Sequence, residues 1–345
     1  MEKLYFASDY QEGAHPAVLR RLCETNLLKT PGYGLDGFCE AAREKIRAAC
    51  SCPGAAVHFL CGGTQANAVV IDAFLQPWQG VLAAESGHIS SHEAGAIEWG
   101  GHKVLTLPQQ FGKLRASVIC DACERWNTDA NRAHMVMPGM AYISQPTEYG
   151  TLYSLAELEE ISGVCRAFGI PLYLDGARLA YALACPGNDV TLPDLARLCD
   201  VFYIGGTKCG ALFGEAVVIS DSGRMEHFFT IMKQHGALMA KGRLLGLQFD
   251  ALFTDGLYLS IGLPAIHAAE RLRGEFLDRF GWRLAFASPT NQIFVLLDNP
   301  TMERVAEKVE FSFWEKNDDS HSIVRFATSW ATRPEEVDAL IAAIE

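Results

Sequence analysis

PLYLDGARLA, residues 171–180, reads as a short strand that is apolar on both alternating faces and ends on a carboxylate, Asp175, with Arg178 three residues on. Such a strand belongs in a parallel sheet covered by helices on each side. Six further runs of the same kind flank it: VHFL from 57, GVLAAE from 80, KVLTL from 103, MAYIS from 140, VFYIG from 201 and AVVIS from 216. Helical periodicity separates them, in TQANAVVIDAFLQ (64–76) and SLAELEEISGVCRAFG (154–169). Ser154 and Glu157 form a capping box at the start of the second helix, which Gly169 ends before Pro171. The alternation predicts an α/β fold with a doubly wound, mostly parallel sheet. Beyond about residue 250 the pattern changes to a helix, a strand RLAFAS (283–288), a strand QIFVLL (292–297), a helix MERVAEKVEF (302–311), a strand SIVRFAT (322–328) and a last helix from Pro334. We therefore expect a large domain over 1–255 and a small C-terminal α+β domain over 256–345, with the boundary in the Gly- and Pro-containing stretch 256–264.

The formal net charge of -12 and the absence of a basic stripe argue against a nucleic-acid partner, because binding phosphate backbones needs clustered Lys and Arg. No apolar run approaches the ~18 residues of a membrane span. The first sixteen residues lack the basic, apolar and small-residue segments of a secretory signal. Eleven cysteines, an odd number scattered through apolar segments, read as reduced thiols of a cytoplasmic protein. Cys120 and Cys123 have zinc-knuckle spacing but no accompanying second pair, so no metal is expected.

Four segments that follow strands carry polar residues suited to chemistry, and each has a plain reading beside the functional one. CGGTQAN (61–67) is a tight strand-to-helix turn, or a cradle in which backbone N–H groups and the helix dipole hold an anion. Asp175 is either paired with Arg178 or placed to bind a protonated ring nitrogen, which turns a pyridine into an electron sink. Lys208 stands alone among Gly, Cys, Ala, Leu and Phe in YIGGTKCGALFG (203–214). By itself it would be a phosphate contact, but an acidic strand end upstream favours a desolvated amine that attacks an aldehyde. His88, in ESGHISSHE (85–93), is by default a cap or a satisfied core histidine.

Taken in order, FASDYQEGAHP (6–16), TPGYGLDGF (30–38), CGGTQAN, ESGHISSHEAGAIE (85–98), PTEYGTLYS (146–154), LDGARLA (174–180) and GGTKCGALFGEAVV (205–218) resemble the low-specificity L-threonine aldolases. These belong to the β-eliminating lyase branch of the fold-type I pyridoxal-phosphate enzymes. The likeness runs over nearly the whole chain and is weakest between about 255 and 320. It implies a large domain with a mostly parallel seven-stranded sheet, a pyridoxal 5'-phosphate cofactor, and retro-aldol cleavage of threonine to glycine and acetaldehyde. A β-eliminating lyase or aminotransferase acting on another amino acid is the alternative within the fold. A non-catalytic phosphate-binding protein is the alternative outside it.

Residue by residue, the resemblance implies that Lys208 forms the Schiff base, Asp175 holds the pyridine nitrogen and His88 stacks on the ring. Gly63, Thr64 and Thr207 would cradle the phosphate. Ser8, Arg178 and Arg325 would grip the substrate carboxylate. In a homodimer or homotetramer with its active site at the dimer interface, Lys233 and Lys241 would approach the neighbouring copy's phosphate, and Tyr33 would close the site. His134 lies near the place of a histidine that meets the substrate hydroxyl, so the base is left open between His88, His134, a water and a phosphate oxygen. QPTEYG, with Gln145 and Glu148, stands where many relatives carry an ENTH-type segment, which implies a different hydrogen-bond set around the cofactor.

Overall fold

The computed structural model describes residues 3–345. All seven expected runs form strands of one sheet: β1 (Ala56–Leu60), β2 (Gln79–Ala84), β3 (Lys103–Leu107), β4 (Met137–Ser144), β5 (Leu172–Asp175), β6 (Val201–Gly205) and β7 (Glu215–Ile219). Their order across the sheet is β1-β7-β6-β5-β4-β2-β3. Neighbours are parallel except where β7 pairs with β1 and β6. The connection 206–214 between β6 and β7 is too short for a crossover, so β7 must run back antiparallel.

Side chains alternate between two cores. Leu172 and Leu174 of β5, Phe202 and Ile204 of β6, and Ala216 and Val218 of β7 enter one; Tyr173, Val201, Tyr203, Val217 and Ile219 enter the other. Both faces are thus covered, as the apolar runs require. The capping box of Ser154 and Glu157 opens the helix Leu155–Phe168, and Gly169 closes it at a left-handed φ of 66°.

A second, antiparallel sheet of four strands follows: β8 (Arg283–Leu284), β9 (Gln292–Asp298), β10 (Ser312–Lys316) and β11 (His321–Ala327), in the order β10-β11-β9-β8. It departs from the sequence reading in three places. The strand expected over 283–288 is only two residues long, because Ser288 turns to bond the Gly150 carbonyl at 3.2 Å and Pro289 has no N–H for a ladder. The helix expected over 302–311 instead spans Asn299–Ala306, and Val309–Glu310 pairs in parallel with Leu4–Tyr5. β10 was not foreseen, since Phe313 and the bulge beside it break a simple alternation.

The N-terminal strand, placed in the large domain by the sequence reading, therefore joins the small layer, and Phe6 is buried in the small core. Within the helix Leu263–Gly274, Ala265 and Ile266 pack in the large core whereas Ala268, Ala269 and Leu272 pack in the small one. The change of core thus falls inside this helix, after Ile266 and beyond the stretch 256–264. Among the described residues no helix is long and apolar enough to cross a membrane. All eleven cysteines are free thiols.

Candidate active site

Strand order reverses between β2 and β4, and ligands of open α/β sheets sit beyond the carboxyl ends of the strands at such a point. There a cavity of about 320 Å³ is lined by Tyr10, Gly63, Thr64, His88, Ser144, Glu148, Asp175, Arg178, Tyr203, Thr207, Lys208 and Glu215, among others. Most come from the carboxyl end of a strand or the segment after it, while Tyr203 lies in the middle of β6 and Glu215 opens the antiparallel β7.

Asp175 closes β5 and is buried. Its Oδ1 accepts from the Tyr203 hydroxyl at 2.5 Å and the Ala177 N–H at 3.0 Å. Its Oδ2 accepts from the Tyr142 hydroxyl at 2.6 Å and the Asn67 amide at 3.2 Å. Burial pushes this carboxyl up, but His88 and the hydroxyls of Tyr142 and Tyr203 together hold it below its ordinary value, so it stays ionised. The pairing with Arg178 considered from sequence is absent. Arg178 turns instead to Asp9, Nε to Oδ2 at 2.7 Å and Nη2 to Oδ1 at 3.0 Å. Asn291 also donates to Asp9 Oδ2, at 2.9 Å.

Lys208 sits in the turn after β6, where burial first and the Arg178 charge second lower its ammonium pKa below the usual lysine range. The uncharged, nucleophilic amine is favoured accordingly. His88 opens the short helix His88–Ser91; its Nδ1 lies 2.6 Å from Glu93 Oε1 and its backbone N–H donates to Glu148 Oε1 at 2.9 Å. Glu93 is buried and also accepts from Asn67 at 2.7 Å, so one asparagine joins the Glu93 and Asp175 carboxylates. Glu148, which also accepts from the Ser144 hydroxyl at 2.8 Å, is pushed up by burial.

Gly63 and Thr64 begin the helix Gly63–Phe74 behind Gly62, which supplies no capping side chain. The N–H groups of that first turn are left for an anion. A Cβ at Gly63 would come within 3.1 Å of the Tyr203 hydroxyl, so the glycine also leaves Tyr203 room to reach Asp175. The Thr207 hydroxyl donates to Glu215 Oε1 at 2.8 Å and accepts from the Gly214 N–H at 3.0 Å. Arg325, on β11, donates to the Ala7 carbonyl, the Gln292 side chain and Ser312, and stacks 5.4 Å over Trp314. Burial and then Arg178 lower it to about 10.

Other expected residues are not gathered here. Ser8 is partly buried beside Asp9, but Tyr10 makes that part of the wall. Tyr33 and Lys233 form a separate exposed pair, Lys233 Nζ 4.7 Å over the ring, and Lys241 lines another cleft. His134 is a correction: it is exposed in the turn Arg132–His134 before β4, at the opposite end of that strand from Ser144. Eight strand residues, about 23 Å, separate the two ends. Sequence reasoning missed Asp9, Asn67, Glu93, Tyr142, Tyr203 and Glu215. Glu215 carried a readable signal, a carboxylate opening an otherwise apolar strand; the hydroxyls and amide looked like ordinary core residues.

The beta-eliminating lyase family model matches residues 6–300. The chain belongs to the β-eliminating lyase family. It is 30% identical, over 98% of its length and 96% of the other's, to a low specificity L-threonine aldolase of Pseudomonas sp.. A solved threonine aldolase of Leishmania major is 43% identical and superposes with a TM-score of 0.95, covering 99% of this chain and 98% of that one. An aspartate aminotransferase of Thermus thermophilus, 14% identical, shares the fold with a TM-score of 0.72 over 99% of this chain and 91% of its own. This is the fold-type I architecture, and the family depends on pyridoxal 5'-phosphate. The residues fit that cofactor: an uncapped helix start for the phosphate, an ionised buried carboxylate for the ring nitrogen, and a desolvated lysine for the aldehyde.

Proposed function

We propose that this β-eliminating lyase family member cleaves L-threonine, L-allo-threonine and related β-hydroxy-α-amino acids to glycine and an aldehyde. The observation that carries the reading is the gathering of Lys208, Asp175, His88 and Arg178 around one cavity. When bound there, pyridoxal phosphate supplies an aldehyde for the substrate amine and a protonated ring that accepts the electron pair left by Cα–Cβ cleavage.

The protein's own groups do the rest. The N–H groups of Gly63 and Thr64 and the Thr207 hydroxyl hold the phosphate. Ionised Asp175 keeps the proton on the ring nitrogen, a preorganised charge that needs no rearrangement during reaction. Lys208, its ammonium pKa lowered by burial, offers the amine. Arg178, fixed by Asp9, holds the substrate carboxylate, and we assign Arg325 and Ser8, which do not line the cavity, to the same carboxylate. His88 is the base for the β-hydroxyl: the Glu93 carboxylate accepts from Nδ1–H, which leaves the Nε2 lone pair free to take a proton.

Tyr33, Lys233 and Lys241 lie away from their own chain's cavity, and we assign them to a neighbouring copy's site in a homodimer or homotetramer. Eleven free thiols fit a reducing compartment, so we place the protein in the cytoplasm. The test is incubation of the purified, cofactor-loaded protein with L-threonine, L-allo-threonine and L-serine. Glycine with acetaldehyde from the threonines supports the reading; a keto acid as the main product overturns it.

A further inference from the structure

Glu215 is a buried carboxyl beside Lys208 to which the mechanism above gives no task. It opens β7 and makes no ion pair among the described residues. Oε2 accepts the Gly206 N–H at 3.0 Å and Oε1 accepts the Thr207 hydroxyl at 2.8 Å. Thr207 Oγ1 in turn accepts the Gly214 N–H at 3.0 Å. A hydroxyl has one hydrogen and two lone pairs. While Glu215 is ionised the hydrogen is committed to it and one lone pair to Gly214, so what Thr207 then shows the cavity is a lone pair. That is the wrong partner for an anion.

We propose that Glu215 is a positioning residue for phosphate binding: phosphate docks on the form in which Glu215 carries a proton, and that proton turns the Thr207 hydroxyl from the carboxylate to the phosphate. The hydrogen count closes. The proton comes from solvent and binds Oε1; the new carboxylic O–H donates to the second lone pair of Thr207 Oγ1; the Thr207 hydrogen is released to a phosphate oxygen; Gly206 and Gly214 keep their bonds. The surroundings favour the protonated form near neutral pH. Burial raises the Glu215 carboxyl to about 8 against the lowering contacts of Thr207, Gly206 and the Lys208 charge. The other titratable groups facing it are the Asp175 carboxylate, the hydroxyls of Tyr173, Tyr203 and Tyr258, and the Cys209 thiol. The proposal rests on the reading that Gly63, Thr64 and Thr207 receive the phosphate.

The test is the affinity of the full-length protein, freed of cofactor, for pyridoxine 5'-phosphate, which has no aldehyde and leaves Lys208 unmodified. Unphosphorylated pyridoxine is the control, and the ratio of the two affinities isolates the phosphate. We expect the wild-type ratio to be level from about pH 7 to pH 8 and then to fall about tenfold per pH unit, one proton being required per phosphate bound. In Glu215→Gln the amide mimics the protonated acid, accepting from Gly206 and donating to Thr207, so the ratio should stay high and level. Thr207→Val should give a ratio that is low and level. A wild-type ratio that does not fall above pH 8, or an equal fall in Glu215→Gln or Thr207→Val, overturns the proposal. A Thr207→Val ratio matching the wild-type plateau overturns instead the reading of Thr207 as a phosphate contact. The wild-type and Thr207→Val slopes decide the matter even if Glu215→Gln does not fold.

Discussion

Asp9→Asn should cost both stability and grip on the substrate, and the structure sets the size of the effect. Burial alone would raise the Asp9 carboxyl, but the charges of Arg178 and Lys208 and the bonds from Arg178 and Asn291 hold it at about 2, against an ordinary 3.8. At ~1.36 kcal/mol per pH unit, that lowering corresponds to roughly 2 kcal/mol. Because the folded value lies below the unfolded one, this stabilisation is fully present above about pH 4 and is lost as the pH falls through about 2. Removing one partner of a buried pair costs more, about 3–5 kcal/mol, since Arg178 stays buried with an uncompensated charge. We therefore expect Asp9→Asn to lose between about 2 and about 5 kcal/mol in guanidinium denaturation at pH 7. The gap should narrow by about 1 kcal/mol at pH 3, where the wild type has given up part of its advantage. KM for threonine should rise as Arg178 loses its fixed orientation, with a smaller change in kcat. Coincident unfolding curves at pH 7, or a gap that does not shrink on acidification, would refute the reasoning.

Lys208→Ala, mixed with pyridoxal phosphate, should lack the visible absorbance band of the wild-type holoenzyme; an unchanged band would show that another amine holds the cofactor. Glu93→Gln replaces a charge-assisted bond to His88 Nδ1 with a neutral one, a loss of about 1–1.5 kcal/mol, so kcat/KM should fall roughly 5- to 12-fold while the cofactor spectrum is kept. Unchanged kinetics would remove His88 from the role of base. His134→Ala should leave kcat/KM for threonine within about twofold of wild type, since a surface substitution far from the cavity touches no reacting group; a large loss would return His134 to the chemistry.

Much of this molecule is legible in its sequence. The seven apolar runs, the capping box at Ser154 and the glycine stop at Gly169 all depend on neighbours within a few residues, so local pattern reports them faithfully. The same holds for Lys208 and Asp175, whose oddity is to be charged where the surrounding residues are apolar. Legibility faded wherever the partner lay far along the chain. Val309 and Glu310 read as the end of a helix because nothing nearby announces that Leu4 and Tyr5 will pair with them. Arg178 looked ready to pair with Asp175, three residues away, yet its guanidinium found Asp9 from the other end of the chain. The resemblance implied a place for His134 near the substrate hydroxyl, and the length of β4 separates it from the cavity.

From the sequence by itself came the α/β class, the strand ends that carry chemistry, and the lysine and carboxylate at their centre, since short-range periodicity and turn chemistry determine these. Only the tertiary structure decided which groups hold those residues in place: Asn67 between Glu93 and Asp175, Asp9 on Arg178, Tyr142 and Tyr203 on Asp175. Buried polar groups must find partners, but the choice among distant candidates is made by how the whole chain packs, and no local pattern encodes it.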